Sequence, residues 1–160
     1  MSETATPGIN PAAGPRTVSE FLGGDHRRLD AILLQTAELA LRGSNSEALA
    51  RFAEFASGLS RHITMEETVL FPAFEEKTGM AEGPTAVMRR EHAEIRRLLS
   101  TIAAAISAGD GAAFDSEKGR LLEVLGAHNQ KEEGILYPMS DRLAGGERER
   151  DELVRRMQAV

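Results

Sequence analysis

An internal repeat with an offset of 66 residues runs through the chain. Residues 62–72 read HITMEETVLFP and residues 128–138 read HNQKEEGILYP, so a histidine, two glutamates, a leucine and a proline coincide, with an aromatic residue before each proline. The same offset places residues 25–34, DHRRLDAILL, on residues 91–100, EHAEIRRLLS. Such a repeat indicates that similar structural units pack together. It predicts a bundle built from two similar helical hairpins.

The spacing of apolar residues supports helices in both halves of the repeat. From Thr17 onward, apolar residues recur at three- and four-residue steps in four long segments, and no segment alternates as a half-buried strand does. Short glycine-containing turns separate the segments, and short connections make successive helices antiparallel. The sequence therefore predicts an all-α fold, an up-down-up-down antiparallel four-helix bundle. A short extra C-terminal helix, residues 147–157, is expected to pack outside it through Leu153, Val154 and Met157.

The first residues differ from the rest of the chain. Residues 1–16 contain three prolines, two glycines and mostly small side chains, a composition typical of a flexible tail. Residues 17–160 are long enough for a single domain with its own core. We therefore expect a flexible N-terminal tail, 1–16, followed by one domain, 17–160.

The composition excludes several classes of function. There is no cysteine, so disulfides, thiolate metal sites and cysteine nucleophiles are excluded, and any metal must bind through nitrogen and oxygen. The net charge is −6 at pH 7, and no basic run is interleaved with aromatic residues. No apolar stretch approaches the roughly 20 residues of a membrane span, and the N-terminus does not read as a signal peptide. We expect a cytoplasmic protein without nucleic-acid or membrane partners.

All four histidines of the chain lie on the repeat as two pairs, His26 with His92 and His62 with His128. A hairpin brings two residues to one height when they are equally far from its turn. The midpoints between successive histidines, residues 44, 77 and 110, fall within or beside the predicted turns. Each histidine also shares a helix face with apolar residues. The four imidazoles are therefore expected at one level of the bundle, pointing into its core.

A glutamate follows two of these histidines by four residues. Glu66 follows His62 and Glu132 follows His128, which places each carboxylate on the face of its histidine, one turn further along. Buried carboxylates without partners cost several kcal/mol each, and a metal would remove that cost. Four imidazoles and two carboxylates are too many for one tetrahedral zinc and too rich in nitrogen for calcium or magnesium. They suit two transition-metal ions bridged by the glutamates.

Two further pairs of carboxylates flank the histidines. Glu67 and Glu133 lie five residues after a histidine, roughly 140° around the helix, which favours a solvated position or contact with a ligand over metal binding. Asp25 and Glu91 directly precede a histidine and are expected to face solvent.

Asp30 also has the spacing of a metal ligand, since it lies four residues after His26. Its repeat counterpart is Arg96, however, and the two charges could pair across parallel helices instead. The arginines around Arg96 lie among glutamates and are interpreted as an ordinary charged face.

Each repeat motif ends in a proline that follows an aromatic residue. Pro72 and Pro138 are expected to end or kink helices two and four just past the site. Phe71, Phe74 and Tyr137 are expected to close the site. The sequence leaves open whether they gate access to it.

The chemistry-bearing residues form one pattern: His26, His62-x-x-x-Glu66, Phe71-Pro72, His92, His128-x-x-x-Glu132 and Tyr137-Pro138. Over roughly residues 18–139, this pattern resembles the hemerythrin-like, or HHE cation-binding, domain. The resemblance implies a four-helix bundle with a non-haem di-iron centre, bridged by two carboxylates and usually by an oxo or hydroxo group. Carried over, Glu66 and Glu132 bridge the two iron ions. His26 and His62 would bind one iron, and His92 and His128 the other.

The sequence departs from the oxygen-carrying hemerythrins at two positions. They have a second histidine where this chain has Arg96, and an aspartate one residue later than Glu132. The site here is therefore expected to be more symmetric and to have one ligand fewer. It is similar to the four-histidine, two-glutamate centres of bacterial repair-of-iron-centres proteins and of mycobacterial hemerythrin-like proteins reported to act on peroxide.

The resemblance implies that dioxygen, nitric oxide or peroxide binds at open iron positions. Three functions compete: storing or sensing a small ligand, acting as a di-iron oxidoreductase on peroxide, and serving iron homeostasis or iron-centre repair. The sequence decides neither between them nor whether the protein is an enzyme, and it indicates no protein partner. A metal-free scaffold is the least favoured interpretation.

Overall fold

The computed structural model describes residues 14–160, so most of the predicted tail, 1–16, lies outside the described residues. Within the described range there is no strand, and the predicted all-helical fold is confirmed. The α-helices are α1 (Val18–Leu41), α2 (Asn45–Met65), α3 (Phe71–Thr78), α4 (Pro84–Ser107), α5 (Gly111–Lys131), α6 (Tyr137–Ala144) and α7 (Glu147–Gln158).

The two hairpins turn at equivalent positions of the repeat. Gly43 and Gly109 have φ angles of 74° and 65°, a left-handed conformation that glycine adopts without steric cost. Ser44 and Asp110 follow them, and the N–H of each donates to the carbonyl five residues earlier, at 3.0 Å. This pattern closes α1 and α4 in the same way, and the next helix begins directly after it. The histidine midpoints at residues 44 and 110 therefore coincide with the two turns.

A five-residue π turn continues α2 and another continues α5. The first, Glu66–Leu70, leads into α3, and the second, Glu132–Leu136, leads into α6. Pro72 and Pro138 therefore follow directly after the π turns, in the first turns of α3 and α6. The prolines do not stop the chain from being helical. The change in winding comes before them, at the two glutamates.

The helices form a bundle around a buried interior. Helix α1 packs against α2, α4 packs against α5, α2 contacts α4, and α1 contacts α6. Helix α7 packs on α1, α6 and the first π turn, and it buries Leu153, Val154 and Met157 as predicted. No helix of the described residues is both long and apolar enough to cross a membrane.

Two apolar clusters fill the interior, one on each side of the histidines. The larger contains Leu29, Phe52 and Ile102 and lies towards the turns at Gly43 and Gly109. The smaller includes residues that surround the prolines and reach α7: Val18, Leu22, Met65, Leu70, Phe71, Phe74, Leu136, Val154 and Met157. The repeat histidines occupy the level between the two clusters.

The larger cluster is expected to contribute much of the free energy of unfolding. Phe52 is 1% exposed within it, whereas Leu34 on α1 is 63% exposed. Replacing Phe52 with Ala should lower the free energy of unfolding by about 3–5 kcal/mol, because a buried ring is lost and a cavity is left. Leu34→Ala should change it by no more than about 0.5 kcal/mol. Urea unfolding of the metal-free proteins, followed by circular dichroism, measures both values, and similar losses would contradict this core.

Candidate metal centre

The structure brings the six candidate ligands together in the core. None exposes more than 4% of its surface, and the two glutamates expose 0%. They come from four α-helices and the two π turns: His26 from α1, His62 from α2, Glu66 from the first π turn, His92 from α4, His128 from α5 and Glu132 from the second π turn. The repeat thus contributes two histidines and one glutamate from each half.

Their donor atoms form two overlapping groups. Within each group, one donor atom from every member lies within 4.8 Å of the others. The first group contains Glu66, His92, His128 and Glu132, and the second contains His26, His62 and Glu132. Glu132 is shared. The geometry therefore offers two adjacent positions for a cation, each next to one histidine pair.

Each glutamate turns one oxygen towards each histidine pair. Glu66 Oε1 lies 3.3 Å from His62 Nε2, and Glu66 Oε2 lies 3.1 Å from His92 Nε2. Glu132 Oε2 lies 3.2 Å from His26 Nε2, and Glu132 Oε1 lies 2.7 Å from His128 Nε2. A carboxylate shared in this way between two sets of imidazoles is arranged as a bridging ligand would be.

The other nitrogen of every histidine contacts a carboxylate. The Nδ1 pairs are His26 with Glu133 at 2.8 Å, His62 with Asp25 at 2.9 Å, His92 with Glu67 at 2.9 Å and His128 with Glu91 at 2.7 Å. Because an ionised carboxylate only accepts, Nδ1 carries the proton and donates it. This pairing fixes the ring orientation and makes Nε2 the atom available to bind a metal.

The expectation that Asp25 and Glu91 face solvent is wrong. Their side chains are only 14% and 24% exposed, and each lies against a histidine of the other helix in its hairpin. Adjacent helix residues project about 100° apart, so a residue next to an inward-facing histidine can point towards the neighbouring helix. Glu67 and Glu133, by contrast, contact ligands as the sequence favoured, and they reach between hairpins.

The four carboxylates that contact the Nδ1 atoms form an outer layer, and three of these outer carboxylates also form a salt bridge with an arginine or a lysine. Arg28 pairs with Asp25 at 2.8 Å, Arg96 pairs with Glu67 at 2.9 Å, and Lys131 pairs with Glu91. Arg96 therefore does not pair with Asp30, which is exposed on α1 and belongs to neither donor group.

The buried carboxylates of the centre favour a positive charge beside them. Burial alone would lower the pKa of His62, but the carboxylates of Glu66 and Asp25 outweigh it and raise that pKa to about 10. Burial would raise the pKa of Glu66, but His62 and His92 hold it well below its usual value. In the metal-free protein, protons on imidazoles thus balance the buried carboxylates. A metal ion bound at the same atoms would take over that role.

Two carboxylate oxygens remain without a well-aligned hydrogen bond. Glu66 Oε2 and Glu132 Oε1 are inaccessible to solvent and lack such a partner, although His92 Nε2 and His128 Nε2 lie 3.1 and 2.7 Å away. Buried acceptors of this kind cost free energy. A cation between these oxygens and the imidazoles removes the cost, so the donor set fits a metal that accepts nitrogen and oxygen.

Tyr137, which was expected to close the site, lies within it and contacts the candidate ligands directly. Its hydroxyl donates to Glu66 Oε1 at 2.5 Å or to Glu132 Oε2 at 2.9 Å, and it lies 3.2 Å from His62 Nε2 and 3.3 Å from His26 Nε2. Phe71 is its repeat counterpart and stacks on His92, with ring centroids 5.6 Å apart. The π turn explains both placements, because its hydrogen bond joins residue 71 to residue 66 and residue 137 to residue 132.

The outer carboxylates should strengthen metal binding. Replacing Glu91 with Ala removes the acceptor that orients His128, and we expect affinity for Zn²⁺ to fall about 10- to 100-fold. Glu94→Ala is the matched control, since Glu94 lies one turn along on α4 and pairs only with surface arginines. Competition with a chromophoric chelator measures both affinities. Equal affinities for the two variants would show that the outer carboxylate does not act on the metal.

A comparison with known protein families supports a cation-binding centre in this chain. The chain matches the family model for the hemerythrin HHE cation binding domain over residues 17–140. Searches of curated proteins and of solved structures found no significant match. The matched range covers most of the 160 residues and contains all six buried donors. The chain therefore belongs to the hemerythrin HHE cation-binding domain family.

Proposed function

We propose that this protein binds two iron ions in the bundle core and uses them to bind dioxygen, nitric oxide or peroxide. His26 and His62 hold one iron, His92 and His128 hold the other, and Glu66 and Glu132 bridge them, together with an oxo or hydroxo group. The family membership supports a cation-binding role, and the nitrogen and oxygen donors are ones that iron accepts.

The observation that carries this proposal is the burial of two glutamates that each face both histidine pairs. A fully buried carboxylate is stabilised only by close positive charge or donors. In this chain each carboxylate has one oxygen within 3.3 Å of an imidazole nitrogen of either pair. One metal ion would leave half of these contacts unused, whereas two bridged ions use all of them.

The surroundings favour a small ligand. The six donors are at most 4% exposed, and apolar clusters lie on both sides of them, so a bulky substrate has no room beside the metal positions. Iron, when bound, supplies an open coordination position for the ligand. The protein itself orients the imidazoles through the outer carboxylates and keeps bulk water away.

We also propose that the four long helices are arranged up-down-up-down. The contacts of α1 with α2, of α4 with α5 and of α2 with α4 support it, as do the short turns at Gly43 and Gly109. In this arrangement α2 and α5 run in the same direction. Glu66 and Glu132 then both lie one turn beyond the histidine level, on the same side of it.

Iron analysis tests the proposed centre directly. Protein purified from iron-supplied cells should contain about two irons per chain and show the charge-transfer absorption of a bridged di-ferric centre. Glu66→Ala and Glu132→Ala should each lose most of the iron, because a bridging ligand is removed from both ions. Glu54→Ala is the control, since Glu54 lies on α2 and pairs with Arg51 at the surface. Bound zinc alone, or unchanged iron in the glutamate variants, would contradict the proposal.

The response to small ligands tests the second part. We expect the reduced, iron-loaded protein to form a stable and reversible complex with dioxygen or nitric oxide. Optical spectroscopy measures the formation of this complex. Steady evolution of oxygen after adding peroxide would assign turnover of peroxide instead of storage or sensing. The Glu132→Ala variant should show neither response, and a response that survives in it would place the reaction outside this centre.

A further inference from the structure

The histidines, the buried glutamates and their carboxylate partners are alike in the two halves of the centre, but one pair of aromatic residues beside them differs. Each histidine, each bridging glutamate and each outer carboxylate has a repeat counterpart that is also a histidine or a carboxylate. Residues 71 and 137 break this pattern, because one is phenylalanine and the other tyrosine. Both rings are 0% exposed and lie beside imidazoles. The hydroxyl of Tyr137 is therefore a chemical difference between the two halves beside the buried donors.

The hydroxyl lies beside the donors around His26 and His62. Tyr137 Oη is 3.3 Å from His26 Nε2, 3.2 Å from His62 Nε2 and 2.9 Å from Glu132 Oε2. It also lies 2.5 Å from Glu66 Oε1. It thus contacts every donor proposed for the metal at these two histidines.

These separations are those of ligands on one ion. Donor atoms about 2.0–2.2 Å from a metal, at the angles of octahedral or tetrahedral geometry, lie roughly 3.0–3.5 Å apart. His26 Nε2 and Glu132 Oε2 are 3.2 Å apart, and Tyr137 Oη lies at similar distances from both. A phenolic oxygen at these distances is therefore placed as a further ligand of the same ion would be.

We propose that Tyr137 is an oxygen ligand of the metal held by His26 and His62. This inference rests on the proposed metal centre and adds to it a ligand that makes the two metal positions chemically different. When the metal binds, a metal–oxygen bond replaces the phenolic O–H bond, and the displaced proton leaves to solvent. The exchange needs neither an oxidant nor a reductant.

The composition makes this ligand directly visible. Tyr137 is the single tyrosine of the chain, and there is no tryptophan. Titration of the metal-free protein with Zn²⁺ should therefore produce an ultraviolet tyrosinate difference spectrum that saturates as the site fills. Iron-loaded ferric protein should show a tyrosinate-to-iron charge-transfer band and the resonance Raman ring modes of tyrosinate. Tyr137→Phe should lose all of these signals and release one proton fewer per chain on Zn²⁺ binding.

A second variant controls for a tyrosine that merely senses folding. Leu122 is 51% exposed on α5, so Leu122→Tyr in the Tyr137→Phe background moves the single tyrosine to the surface. This protein should bind Zn²⁺ without a tyrosinate signal. Circular dichroism checks that both variants remain helical, and the spectra of the unaltered protein test the proposal even if a variant does not fold.

The outcomes separate this inference from the proposed function. Two metal ions per chain together with a tyrosinate signal support it. Two metal ions without that signal overturn it, since Tyr137 then only donates a hydrogen bond to the carboxylates, while the metal centre stands. Failure of the unaltered protein to bind metal overturns both proposals.

Discussion

The burial of Glu66 and Glu132 is the constraint on which the rest of the structure depends. Two carboxylates at 0% exposure, between apolar clusters, are stable only if positive charge surrounds them. Four imidazoles face the two carboxylates, and the outer nitrogens of these rings then need acceptors. Four further carboxylates supply these acceptors. The polar interior is therefore built outward from the two glutamates, and each layer compensates the charge of the layer inside it.

The repeat builds this network from two kinds of contact, each of which occurs twice. Asp25 and Glu91 reach the histidine of the other helix in their own hairpin, and so hold α1 to α2 and α4 to α5. Glu67 and Glu133 reach a histidine of the opposite hairpin. The same carboxylates that orient the metal ligands thus also tie the bundle together. Metal binding and the packing of the helices are consequently coupled.

Much of this could be read from the sequence, because helix periodicity and the repeat are properties of the chain alone. The spacing of apolar residues indicated the long helices, and the histidine midpoints anticipated the turns at Ser44 and Asp110. The orientation of Asp25 could not be obtained in this way, since it depends on which neighbouring helix lies beside it. The prediction that it faces solvent considered its own helix alone.

The sequence placed Tyr137 at the edge of the site, but its direct contact with the candidate ligands could not be predicted, because that contact depends on the helix winding. Five residues beyond Glu132 on an α-helix, a side chain projects roughly 140° away. In the π turn, however, the N–H of residue 137 bonds to the carbonyl of residue 132, which returns residue 137 to the face of Glu132. Sequence periodicity assumes constant winding and cannot show this. π turns inserted in α-helices are often found at functional sites, and here they bring residues 71 and 137 onto the imidazoles.

One hydroxyl then has consequences for the whole centre. Carboxylates have ordinary pKa values near 4 and phenols near 10, so a phenolate is the more basic donor and favours the more highly charged state of a bound metal. With Tyr137 as a ligand, an iron held by His26 and His62 would be harder to reduce than one held by His92 and His128, where Phe71 offers no donor. The pseudo-symmetric scaffold of the proposed centre would thereby hold two unequal metal positions. The inequality would come from one oxygen atom beside a set of histidines and glutamates that the repeat keeps the same in both halves.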